Sequence, residues 1–286
     1  MGLNRRGFFK LIGLAGATLA LGDNAEASRA GASKIEYYGI LHDAARCKGC
    51  RGCEFDCAEA HGLPEPEKKA PPVRKTDELR NTVINTFKTA KGEVSIKRQC
   101  MHCNEPACVA ACLTKAMHKT VMGPVTWDGN KCMGCRYCMV SCPWDMPKFE
   151  YHSANPKIQK CDMCFGRLKT GEPPACAFNC PNDALLYGKR RDLIREAHRR
   201  IYEKPGLYYD HVYGEHEAGG TGWLYVSPVP FEQLGMNTAL QQASYPALTK
   251  GFLYSVPTIF VLVPALLFGI QQATHKDQSN GEEEDE

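Results

Sequence analysis

Sixteen cysteines, none left over, fall into four groups of four, and each group closes with the same CxxxC step. The groups are Cys47/Cys50/Cys53/Cys57, Cys100/Cys103/Cys108/Cys112, Cys132/Cys135/Cys138/Cys142 and Cys161/Cys164/Cys176/Cys180. The first and third are uninterrupted CxxCxxCxxxC runs, the spacing with which thiolates hold cubane 4Fe-4S clusters. Four such groups predict four clusters and a chain that carries electrons.

Two other uses of cysteine fit the pattern less well. Disulfides within these groups would close small local rings that staple nothing distant. Zinc favours pairs of CxxC knuckles a dozen or more residues apart. Only the fourth group, CxxC followed after eleven residues by CxxxC, has that form. A zinc-binding scaffold is therefore the weaker alternative. His102 lies inside the second group, but with four cysteines available there it is left out of the ligand set. Lys48, Arg51, Lys131 and Arg136 put positive charge beside the ligands, where charge, hydrogen bonding and exposure set a cluster's potential.

The ends of the 286-residue chain stand apart from this pattern. Asn4-Arg5-Arg6-Gly7-Phe8-Phe9-Lys10 precedes the apolar stretch Leu11 to Leu21 and then Ala25-Glu26-Ala27. That order is expected of a twin-arginine export signal, residues 1–27, cut after Ala27. Phe252 to Ile270 holds nineteen residues without a charge. As a helix this stretch is roughly 28 Å long, about one hydrocarbon thickness. It predicts a transmembrane helix over 251–271, kinked at Pro257 and Pro264, before an acidic tail over 272–286. A formal net charge of +3 argues against nucleic acid as a partner. Arg190, Arg191, Arg195, Arg199 and Arg200 cluster on a helical stretch that reads as a solvated or docking face.

Between the ends, strands and short helices alternate with the cysteine loops. Ile35 to Leu41, Val125 to Trp127 and Phe149 to Tyr151 read as strands, and Ala58 to His61 as the end of a helix. A proline-rich stretch after Cys57 leads into a hairpin through Val83–Phe87 and Val94–Ile96. Asp192 to Lys204 reads as a helix and Trp223 to Val226 as one more strand. In a two-cluster ferredoxin the first three cysteines of a run bind one cube and the fourth reaches across to the other, so groups interlock in pairs. The second and third groups are close in sequence and pair naturally. Cys100, Cys103 and Cys108 then share a cluster with Cys142, and Cys132, Cys135 and Cys138 share one with Cys112. The first and fourth groups form the enclosing pair, Cys47, Cys50 and Cys53 with Cys180, and Cys161, Cys164 and Cys176 with Cys57. Pro143 and Pro181 stop the chain after Cys142 and Cys180. Ala58 and Leu113 replace them elsewhere, where the helix is expected to continue. The predicted fold class is α+β: two interlocked ferredoxin-like units with a long insertion, plus a single C-terminal transmembrane helix. The outer unit covers 28–62 and 157–190, the insertion 63–94, the inner unit 95–156, and a C-terminal extension 191–250.

The stretch Lys131-Cys132-Met133-Gly134-Cys135-Arg136-Tyr137-Cys138 through Cys142-Pro143 resembles a motif of the four-cluster iron-sulfur subunits of membrane-bound respiratory oxidoreductases. Gln99-Cys100-Met101-His102-Cys103 with Pro106-Ala107-Cys108, and Lys160-Cys161-Asp162-Met163-Cys164 with Pro174-Ala175-Cys176, resemble two more. Together with the export signal, the anchor and the segment Tyr213 to Thr221, they are most similar to the HybA-like subunits of periplasmic nickel-iron hydrogenases. The resemblance implies four 4Fe-4S clusters on the periplasmic side of the cytoplasmic membrane. It implies electrons passed from the hydrogenase small and large subunits to an NrfD-like, quinone-reactive membrane partner. Beta subunits of formate dehydrogenases and of terminal reductases are the nearest rivals. No nucleophile constellation, substrate motif or dinucleotide fingerprint stands in the chain, which reads as an electron-transfer subunit and not as a catalyst.

Overall fold

The computed structural model describes residues 36–281, so the twin-arginine segment 1–27 and the acidic run Glu282 to Glu286 lie outside the described residues. The elements are β1 (Tyr38–Asp43), α1 (Gly52–His61), β2 (Thr82–Thr89), β3 (Gly92–Gln99), α2 (Ala107–Ala110), β4 (Met117–Lys119), β5 (Val125–Trp127) and α3 (Tyr137–Val140). They continue with β6 (Lys148–Phe149), β7 (Ile158–Gln159), α4 (Phe165–Lys169), α5 (Ala175–Phe178), β8 (Leu185–Lys189), α6 (Arg190–Glu203), β9 (Trp223–Val226) and α7 (Tyr245–Gly281). Helices and strands are thus mixed along the chain, and α2 to α5 are single turns of four or five residues. Helices that short have no stability of their own in water. What they are packed against holds them.

The one sheet of more than two strands supports the body. β1 lies at its centre, antiparallel to β8 and parallel to β9. Side chains alternate between the faces of a strand, and here both faces are covered. Ile40, Trp223 and Tyr225 join the core that also contains Cys100, Cys161 and Cys176. Leu41, Leu224 and Val226 pack on the other face against Leu193, Ala197 and Ile201, a stripe at every fourth residue of α6. Each fully buried side chain of this kind contributes roughly 1.5–3 kcal/mol. The sheet therefore separates a conventional apolar layer from the layer that carries the cysteines. The remaining strands form three antiparallel hairpins, β2–β3, β4–β5 and β6–β7.

A buried ionic knot joins α6 to the first cysteine loop. Asp43, fully buried at the end of β1, accepts hydrogen bonds at 2.8 Å from the Arg200 guanidinium and from the Tyr208 hydroxyl. Its other carboxylate oxygen accepts from the Ala45 and Arg46 amides at 3.0 and 3.3 Å, and its carbonyl accepts from the Cys47 amide at 3.1 Å. The arginine cluster of α6 is thus divided among partners. Arg200 serves Asp43, Arg199 pairs with Glu196 and Glu203 on the solvent side, and Arg190 donates to the carbonyls of Thr221, Gly214 and Glu215.

Two local expectations change. The helix does continue through Ala58 in α1, but after Cys112 it does not, because α2 ends at Ala110 and Leu113 sits in a turn. There the Met117 amide donates to the Cys112 sulfur at 3.4 Å, and the chain turns to make that contact and enter β4. The C-terminal helix is also longer than its uncharged stretch and runs through Pro257 and Pro264 unbroken. The body, Ile35–Leu248, and a unit containing the chain from Thr249 onward are separate compact units. Within α7, Tyr245–Gln272 is apolar and long enough to cross a membrane, and its apolar side chains are exposed.

The ionic knot yields a stability test. Arg200→Met strands the buried Asp43 carboxylate and is expected to cost about 3–5 kcal/mol. Arg199→Met breaks only exposed, solvent-screened pairs and is expected to leave stability close to that of the parent. Denaturation midpoints of the two variants, followed by visible absorbance, check this; equal losses would contradict it.

Candidate metal centres

The first CxxC step of each group folds as a tight turn whose residue before the second cysteine has a left-handed backbone. Gly49, His102, Gly134 and Met163 occupy that position, with φ of 66°, 50°, 72° and 59°. Arg51, Arg136 and Cys164 follow in the same region, at 64°, 61° and 50°. Turns of this kind aim successive amides inward and make an anion-binding concavity. The Met163 amide, for example, donates to the Cys161 sulfur at 3.3 Å. At non-glycine residues such backbones are costly and persist where the surroundings enforce them. Gly49 has a second reason to be glycine, since a Cβ there would lie 2.5 Å from the Ser95 Oγ of β3. The CxxxC step works differently. Cys53 and Cys57 are separated by one turn of α1, which puts both residues on one helix face.

Every one of the sixteen cysteines is free of disulfides. Cys47, Cys50, Cys53 and Cys180 line one cavity with His42 and Lys97. Burial pushes the Cys103 thiol well up, and Cys100, Cys142 and Cys108 raise it further. Burial, then Cys112, Cys132 and Cys135, lift Cys138 to about 11. Burial lifts Cys176 to about 12, with Lys97 opposing and Cys57 and Cys164 adding. Cys112 differs: burial acts upward there too, but the Met117 amide, the Thr114 hydroxyl and further backbone donors bring it below the usual thiol value. Between these sets the charge interactions run Cys53 with Cys176, Cys161 with Cys100 and Cys108 with Cys138.

Crowded, buried thiols that hinder one another's ionisation suit a cationic core, which deprotonates coordinating thiols outright. His42 adds a second sign of fit. Both its ring nitrogens are buried without a hydrogen-bond partner, and the ring lines the cavity of Cys47, Cys50, Cys53 and Cys180. The residues present therefore fit iron-sulfur clusters. Cys50 and Cys135 are the two exposed cysteines. Around Cys135 the neighbouring Leu113, Met133, Tyr137 and Val140 are exposed, Val140 at 86%.

Several polar side chains near the sulfurs were not marked by cysteine spacing. His102 is fully buried; its Nδ1 accepts from the Val125 amide at 2.9 Å, which leaves the proton on Nε2, 3.5 Å from the Cys161 sulfur. Lys119 donates to the carbonyls of His102 and Cys103, and Lys160 to those of Val125 and Cys161. His61, at the end of α1, meets the Asp162 carboxylate at 2.7 Å and so ties the first cysteine group to the fourth. Of the charges named from sequence, Arg51 is held by Glu54, Lys131 pairs with Asp128 at 3.5 Å, and Arg136 lies over the rings of Phe149 and Tyr151. Only Lys48 stands beside a cysteine cavity as an exposed charge with no ion pair among the described residues.

Residues 94–190 match the 4Fe-4S dicluster domain family. The chain is 45% identical to a protein of Nitratidesulfovibrio vulgaris strain Hildenborough, over 99% of this chain and 80% of that one. It is 31% identical to the hydrogenase-2 operon protein HybA of Escherichia coli O157:H7, over 85% of each. It is 28% identical to the nitrate-inducible formate dehydrogenase iron-sulfur subunit of Escherichia coli K12, over 65% of this chain and 66% of that one.

The His61–Asp162 contact carries a pH signature. The hydrogen bond to Asp162 comes first among the causes that raise His61 to about 11, ahead of the contact with Cys57, while burial opposes them. A raised folded value makes this contribution fully present below the unfolded pKa of about 6.5 and removes it as pH rises through about 11. The stability gap between the parent and His61→Gln is expected to be full at about pH 6.5 and to close as pH rises toward 11. A gap that widens with pH would contradict this.

Proposed function

Because the chain belongs to the family of HybA and related iron-sulfur electron-transfer subunits of oxidoreductases, we propose that it holds four 4Fe-4S clusters and relays electrons between two partner proteins. The observation that carries this reading is the crossing of the groups. Cys138 of the third group feels Cys112 of the second beside its own Cys132 and Cys135, and Cys57 of the first acts on Cys161, Cys164 and Cys176 of the fourth. That crossing supports the quartets Cys47/Cys50/Cys53/Cys180, Cys161/Cys164/Cys176/Cys57, Cys100/Cys103/Cys108/Cys142 and Cys132/Cys135/Cys138/Cys112. It also supports two interlocked ferredoxin-like units.

The clusters supply one-electron storage at potentials set by charge, hydrogen bonding and exposure. The protein does the rest. Sulfurs of different quartets act on one another between Cys53 and Cys176, Cys161 and Cys100, and Cys108 and Cys138, which supports a single file in that order. The two exposed cysteines, Cys50 and Cys135, belong to the two ends of the file, where electrons enter and leave. Water is kept from the middle. The apolar rim of Leu113, Met133, Tyr137 and Val140 suits a protein partner at the Cys135 end.

In this reading the donor is a nickel-iron hydrogenase, through its small and large subunits, and the acceptor is an NrfD-like, quinone-reactive membrane protein. The twin-arginine motif supports export of the folded, loaded body to the periplasmic side, with Tyr245–Gln272 as anchor. The chain itself performs no substrate chemistry.

Low-temperature EPR on native membranes, with the chain intact or deleted and with hydrogen or formate as reductant, tests the assignment. Cluster signals that appear with hydrogen and vanish on deletion are expected. Signals raised by formate alone would move the chain to a formate dehydrogenase. A response only to quinol would make it the input side of a terminal reductase.

A further inference from the structure

Lys97 is the most deeply buried cation near the cysteines, 1% exposed in the middle of β3. An ammonium group taken out of water persists only with compensating charge or hydrogen bonds. Lys97 forms no ion pair with a carboxylate among the described residues. Its Nζ donates to the Thr82 hydroxyl and, at 3.3 Å, to the Gln99 side-chain oxygen, and it lies 4.9 Å from the centre of the Trp223 ring. All three partners are neutral. Glu54, the buried carboxylate nearby, is fully engaged by Arg51, Arg74 and the Ile84 amide. Lys119 and Lys160, by contrast, each spend their charge on two backbone carbonyls.

The anions that compensate Lys97 are sulfurs. It lines the cavity of Cys47, Cys50, Cys53 and Cys180. Burial pushes the ammonium toward neutrality, and the sulfurs around it, when ionised by a bound metal centre, act the other way. His42 does not share the task, because burial, with Lys97 adding, drives it down to about 3 and leaves it neutral.

We propose that Lys97 is the counter-charge of the cluster held by Cys47, Cys50, Cys53 and Cys180, and that it sets that cluster's potential by favouring the reduced form. The proposal rests on the four-cluster reading. Four thiolates make each bound cluster anionic, and one-electron reduction makes it more so. A fixed positive charge beside this one stabilises the reduced state more than the oxidised one. No proton moves, and the electron that enters from one neighbour leaves to the next.

The test is iron analysis followed by EPR potentiometry on membranes from strains carrying the parent chain, Lys97→Met, Lys97→Gln or Lys97→Arg. Iron in the parent is read first: well short of about sixteen atoms per chain overturns the four-cluster reading itself. With that in place, the neutral variants are expected to lower one of the four midpoints more than the rest. At a fixed potential the reduced-to-oxidised ratio of that cluster should fall tenfold or more, about 59 mV for a one-electron couple. The other three midpoints move less, and Lys97→Arg stays near the parent. Four unchanged midpoints at full iron content would overturn the proposal. If both neutral variants fail to accumulate, Lys97→Arg decides: full iron and parental midpoints support the need for charge, and an equal failure means that shape alone matters there.

Discussion

Buried thiols close enough to share a metal centre cannot all ionise without a cation among them, and the rest of this fold follows from that constraint. Four-residue helices and two-residue strands have too little apolar surface to hold themselves together. Here they surround sulfur. The left-handed backbones at His102 and Met163 cost energy that a bound, anionic centre would return, and Gly49 and Gly134 take the same turn without that cost. Placed against this soft layer, the β8–β1–β9 sheet and α6 provide ordinary hydrophobic support, with the Asp43–Arg200–Tyr208 knot fixing where the first cysteine loop begins.

Charge inside the body is distributed by the same logic. Exposed arginines on α6 pair with exposed carboxylates and bear little on the sulfurs. Of the lysines near the sulfurs, Lys119 and Lys160 tie loops together through backbone carbonyls. Lys97 instead donates to the side-chain oxygens of Thr82 and Gln99 and lines the cavity of Cys47, Cys50, Cys53 and Cys180. A subunit that moves electrons through anionic centres needs such interior charge, because each added electron otherwise raises the cost of the next.

Much of this architecture is legible in the sequence because cysteine spacing is a geometric statement. CxxC prescribes a turn and CxxxC a helical step, so the loops and their short helices could be read residue by residue. The hairpin of β2 and β3, the helix α6 and the strand β9 announced themselves by apolar periodicity and turn residues. Lys97 did not: every residue from Val94 to Lys97 is buried, so the alternation that marks an inward face is missing, and a lysine there reads as solvent-facing. His42 was hidden for a similar reason, in a strand covered on both sides. The parallel pairing of β1 with β9 joins segments some 180 residues apart and has no local signature. The turn after Cys112 departs from expectation because a sulfur-directed amide competes with the helix, and that competition is visible only in three dimensions.

The crossing of cysteines between groups is the central claim, and anaerobic diffraction at the iron absorption edge from the intact complex tests it most directly. The account predicts four compact iron constellations in single file, with Cys57 bound to the one that holds Cys161 and Cys180 to the one that holds Cys47. Constellations each bound by the four cysteines of a single contiguous group would contradict it.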